Sequence, residues 1–164
     1  MRVISWVVSA LLTGLAISSY GADVITHRNI GMDLARDIAN EAVKACRKEG
    51  YHVSAVVVDR HGNLRAALRD DIASVYLLQI AQEKANLVIM AGVPSSQFRN
   101  NRQDIRPELN HLDGIIVMGG GLPIDAGGSR IGAVAVAGAP GADKDEVCAA
   151  KALEVMNERL EFAE

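Results

Sequence analysis

Apolar and polar positions follow two rhythms along this chain, and the change from one to the other marks its elements. From Ile30 to Glu49 the apolar residues Leu34, Ile38, Ala42, Ala45 and Cys46 recur every three or four positions, while Asp33, Arg36, Asp37, Asn40 and Lys44 fall outside the stripe. That spacing predicts an amphipathic helix, stopped at Gly50. Val53 to Val58 is then β-branched and nearly continuous, Asp59-Arg60-His61-Gly62-Asn63 has turn chemistry, and Leu64 to Leu68 alternates more loosely. Together they predict a hairpin.

A second helix is expected from Ala73 to Ala91, with Gln79, Gln82, Glu83, Lys84 and Asn86 on its wet side and Gly92 and Pro94 closing it. Ser95 to Asn110 has the least regular pattern. After it, Gly114 to Met118 predicts a strand that kinks at Gly119-Gly120-Gly121 and continues through Leu122-Pro123-Ile124. Asp125 to Ser129 is a further turn, and Arg130 to Ala137 a strand apolar on both faces. The last helix begins after Gly138-Ala139-Pro140-Gly141, where Asp143 and Glu146 have capping-box spacing, and runs to Leu160. Strands joined by tight turns must be antiparallel, which excludes a doubly wound parallel sheet. The expected architecture is α/β, a five-stranded antiparallel sheet flanked by helices.

The first residues belong to neither rhythm. Arg2 is followed by an uncharged run from Val3 to Ile17, and Ser19 and Gly21 stand at the small-residue positions of a cleavage site. The run is short for a membrane span, which takes about 20 apolar residues, and fits a signal peptide over residues 1–21. The domain is then residues 22–164, periplasmic or secreted, with no membrane span after cleavage. Export also places Cys46 and Cys148, the two cysteines of the chain, where thiols can oxidise. A bridge between the first and last helices and a pair of buried free thiols are both compatible with their positions.

Charge narrows the functional classes. The 17 basic and 20 acidic side chains leave a net charge of -3, without the cationic excess that phosphate binding requires, so nucleic acid is not an expected partner. Two cysteines cannot fill a four-thiolate zinc site from one subunit. The chain has no G-x-S-x-G elbow, H-E-x-x-H, Walker loop or C-x-x-C-H, which argues against the corresponding hydrolases, zinc proteases, NTPases and covalent heme attachment. Gly119-Gly120-Gly121 is followed by Pro123 rather than a helix start, so it is expected as a bulge or a close backbone approach. Arg99, Arg102 and Arg106 are spaced so that one helical turn would put three guanidinium groups on one face, able to hold carboxylates or to sit solvated beside Asp104 and Glu108. Among the histidines, His61 lies in the hairpin turn, His52 precedes a buried strand, His27 precedes the first helix and His111 follows the arginines.

Several segments, in order, carry a resemblance. They are Ala42 to Tyr51, Val56 to Gly62, Leu68-Arg69-Asp70-Asp71, Gly119 to Ile124 and Ile131 to Glu146. On these the chain resembles the GlcG/HbpS-like family, which also includes the C-terminal domain of PduO-type proteins. The resemblance implies a profilin-like fold, homo-oligomers and non-covalent heme, with heme degradation in some members. In that setting His111 or His27 is the expected axial ligand, since imidazole is a usual ligand of heme iron, and Arg102 and Arg106 are the expected partners of the propionates. An alternative is an enzyme or accessory protein acting on a small hydroxy acid or carboxylate through the same arginine face.

Overall fold

The computed structural model describes residues 24–163; the expected signal peptide, residues 1–21, lies outside the described residues. In chain order the elements are α1 (Met32–Lys48), β1 (Ser54–Asp59), β2 (Leu64–Arg69), α2 (Tyr76–Ala91), α3 (Ser95–Asn101), α4 (Arg106–Leu109), β3 (Gly121–Ala126), β4 (Ser129–Ala137), α5 (Ala142–Val155) and α6 (Asn157–Glu161). The sheet has order β2-β1-β4-β3, and every neighbouring pair is antiparallel.

β1 and β4 are central, and both are buried on both faces. Alternation along each strand divides the core into two layers. Ala55 and Val57 of β1 and Val134 and Val136 of β4 face α1 and α5. Val56, Val58, Ala133, Ala135 and Ala137 face α2, where Ala81, Ala85 and Val88 meet them. The result is an α/β/α arrangement whose buried apolar side chains are Ala, Val, Ile, Leu and Cys, with no fully buried aromatic ring among the described residues. Small side chains let α1 and α5 pack closely, and a disulfide between Cys46 and Cys148 joins them, with Cα atoms 5.4 Å apart. Of the two possibilities open to these cysteines, the bridge is the one formed.

The expected fifth strand is absent among the described residues. Residues 115–118 form no ladder, and the amide of Met118 instead bonds the Ile116 carbonyl in a tight turn. The cause lies just beyond it. Gly120 has φ of 115° and is packed so closely that a Cβ there would lie 2.8 Å from both the Asp145 Cβ and the Val136 carbonyl oxygen. Such a backbone path, open only to glycine, turns the chain before it reaches the sheet edge, so β3 starts at Gly121.

The last expected helix is also divided, at Met156, into α5 and α6. The capping-box expectation fails too: Gly141 is the N-cap, so Asp143 falls inside the first turn, no side chain caps the helix, and Glu146 accepts from Ser96 and the Gly120 amide instead.

Candidate functional site

Asp59, at the end of β1, organises one end of the sheet. Its carboxylate is buried and accepts hydrogen bonds from the His61 amide (2.9 Å), the Asn63 amide (3.0 Å), the Asn63 side chain and the Asn29 side chain (3.3 Å). A register shift in the β1–β2 pairing leaves Arg65 as an extra residue, and its Nη2 reaches Asp59 Oδ2 at 3.1 Å. Burial alone would push the Asp59 carboxyl up, but the bonds from Asn63, His61 and Asn29 outweigh it and hold the carboxyl at about 2.

Asn29 completes the fastening. Its side-chain oxygen accepts the amides of Ile30 and Arg60, both at 3.1 Å. The segment before α1 is thereby pinned to the hairpin turn, and the exposed rings of His27 and His61 meet edge to face, centroids 5.8 Å apart.

Contacts continue from this turn towards the segment that carries Arg106 and His111. An added Cβ on Gly62 would lie 3.5 Å from Asn86 Oδ1, and Asn86 Nδ2 donates to the Gly114 carbonyl at 2.9 Å. Beside Gly114, a cleft of about 340 Å³ is lined by Glu83, Arg106, Asn110 and the aliphatic run Ile115 to Met118. His111 is exposed next to it.

The three arginines do not share a face. α3 ends at Asn101 and α4 begins at Arg106, and the intervening residues are not helical. Arg99 lines a different cleft, above Gly119. Arg102 is closed on Asp104 by two bonds of 3.0 and 3.1 Å, whereas Arg106 makes no ion pair among the described residues and lines the aliphatic cleft. His52 has a structural setting. Its Nδ1 is 3.5 Å from Asp70 Oδ2, beside the two bonds that Arg47 makes to the same carboxylate.

One polar group lies on the opposite side of α2 from the one its charge suggests. Lys84, expected on the wet face of α2, is 1% exposed. Its Nζ is 2.8 Å from Asp145 Oδ2 and 2.9 Å from the Val136 carbonyl oxygen. Asp145 Oδ1 in turn accepts the Ala139 amide at 2.9 Å. Burial pushes the Asp145 carboxyl up against the opposing pull of Lys84. Around this pair the glycine run is held by Ser95, whose hydroxyl accepts the Gly121 amide, and by Glu146, which accepts from Ser96. A signal for Lys84 was present: it stands three residues after Ala81 and four before Val88, on the apolar stripe itself.

The Asp59 centre carries a pH prediction. Its folded pKa lies below the ordinary 3.8, so its contribution to stability is complete above that value and is lost as pH falls towards about 2. Asp70 is held at about 2 by Arg47 and acts in the same window. Asp59→Asn is expected to lower the urea midpoint at neutral pH and to flatten its decline between pH 3.8 and about 2. An unchanged acid profile would show that the carboxylate is not held in this way.

Comparison with known proteins agrees with this architecture. Residues 30–154 match the sequence profile described as haem degrading protein HbpS-like. The crystal structure of HbpS superposes with a TM-score of 0.76 at 32% identity, over 85% of this chain and 99% of that one. Klebsiella pneumoniae protein ORFY gives 0.77 at 26% identity, over 85% and 98%. A PduOC:heme complex gives 0.69 at 20% identity, over 79% and 96%, a likeness of fold. No curated protein sequence matches at a significant level. With the profile spanning most of the chain and HbpS aligning over nearly its whole length, this chain belongs to the HbpS-like family.

Proposed function

We propose that the chain binds heme non-covalently, with His27 as the axial ligand and Arg106 as a propionate partner. The carrying observation is the pinned contact between His27 and His61, which keeps two exposed imidazoles at one end of the sheet. His111 lacks such support, and Arg102 is already occupied by Asp104. The donor set fits the group: imidazole for iron, a free guanidinium for a carboxylate, and the aliphatic wall Ile115 to Met118 in place of aromatic rings. Family membership and the heme complex of a relative of the same fold support the assignment. Heme supplies the redox and ligand-binding chemistry; the protein's part is to orient the ring and hold its carboxylates. This binding step is common to degradation, sensing and sequestration.

Two further features enter as proposals. The bridge between Cys46 and Cys148 supports export to an oxidising compartment, periplasmic or secreted. Assembly into a homo-oligomer of profilin-like subunits is supported by exposed Ile72, Val75 and Tyr76 beside the edge strand β2.

Titration of the purified domain with micromolar hemin is expected to give a saturable Soret shift. His27→Ala is expected to abolish it, His111→Ala to retain it, and Arg106→Gln to weaken binding about tenfold, the scale of one charge-assisted hydrogen bond. A wild-type chain with no saturable shift overturns the proposal.

A further inference from the structure

We infer that the cleft between α3 and α5 is a binding site for a small zwitterion, a molecule carrying a carboxylate and an ammonium group a few bonds apart. This cleft of about 520 Å³ is at the glycine run and uses none of the residues proposed for heme. On one wall stands Arg99 of α3, exposed and without an ion pair among the described residues. Opposite it, in the first turns of α5, stand Asp143 and Glu146. Neither closes on Arg99, so the cleft keeps one cation and two carboxylates on separate walls.

The two carboxylates differ in freedom. Glu146 is fixed by Ser96, whose hydroxyl donates to it at 2.8 Å, and by the Gly120 amide at 3.4 Å. Asp143 has no ion pair among the described residues and is exposed. Gly119 forms the floor, where a Cβ would lie 3.3 Å from the Cβ atoms of both Ala142 and Ser96, so the absence of a side chain there preserves depth. Leu122 and Val147 add apolar wall.

This charge arrangement selects its ligand. A plain anion that reaches Arg99 also faces Asp143 and Glu146, and the acidic first turn of α5 already offsets the helix dipole. A plain cation meets Arg99. Only a ligand with both signs satisfies both walls, through charge-assisted bonds at each end. An amino acid with an apolar side chain matches the bipolar walls together with Leu122 and Val147.

The test is calorimetric titration of the domain with L-leucine and with its two halves, isocaproate, which lacks the amine, and isoamylamine, which lacks the carboxylate. Leucine is expected to bind saturably and about tenfold or more tighter than either half. Arg99→Gln is expected to weaken leucine about tenfold while leaving isoamylamine no weaker, since that cation no longer meets Arg99. Val147→Trp, placed at a half-exposed rim position, is expected to remove leucine binding without changing the melting temperature. Leucine binding no tighter than isocaproate, no response to Arg99→Gln, or no saturable heat from any of the three overturns the inference. Hemin titration of the same variants is expected to match wild type, so failure here and failure of the heme proposal are separate results.

Discussion

Lys84→Met is expected to lower the stability of the folded chain by about 3 to 5 kcal/mol, the usual consequence of removing one member of a buried ion pair. The loss comes mainly from what remains. Asp145 keeps a buried carboxylate that no longer faces a cation, and the Val136 carbonyl loses its side-chain donor. Asp145→Leu is expected to cost as much, because it strands the ammonium and also frees the Ala139 amide that Oδ1 accepts. The Lys84→Met/Asp145→Leu double variant is expected to recover part of the loss. It no longer buries an unpaired charge, although the unsatisfied Ala139 amide still costs about 1 to 3 kcal/mol. Urea midpoints of the two single variants and the double variant test this as a cycle. If the single variants cost under about 1 kcal/mol, water reaches the pair and the site is not closed as described.

Loss of the Cys46–Cys148 bridge is the second large effect. The two cysteines are separated by 102 positions, and closing a loop of that size removes about 4 to 5 kcal/mol of chain entropy from the unfolded state. Cys46→Ala/Cys148→Ala is therefore expected to lose roughly that amount, measured by urea unfolding beside wild type. Both sulfurs are buried between α1 and α5, so a reductant is expected to act on wild type only as fast as the helices separate. A loss below about 1 kcal/mol would mean that α1 and α5 already associate in the unfolded chain, so that the bridge has little left to constrain.

The parts of this fold legible from sequence are those decided locally. α1 follows from the spacing of Ile38, Ala42, Ala45 and Cys46, and the first hairpin from a β-branched run meeting Asp59 to Asn63. What escaped depends on partners distant in the chain. The spacing of Lys84 from Ala81 and Val88 puts it on the apolar stripe of α2, but its partner Asp145 stands 61 positions later, and no spacing within one helix names it. Residues 115–118 have the composition of a strand, but strand formation needs an edge to pair with, and the packing of Gly120 against Asp145 directs the chain elsewhere. Spacing alone groups the arginines, and the break after Asn101 sends Arg99 and Arg106 to different clefts and leaves Arg102 paired with Asp104. At the candidate site, His27 and Arg106 were legible as chemistry. Their surroundings were not, because Asn29, Asp59 and Asn86 act through contacts between segments.

The absence of fully buried aromatic rings among the described residues has an optical consequence. Trp6 is the single tryptophan of the chain, and residues 24–163 carry none. A domain produced from residue 22 onward would emit only from Tyr51 and Tyr76. In a domain so produced, a tryptophan introduced at Val147 would be the sole indole and, excited beyond the tyrosine absorption, would report the polarity of its own surroundings.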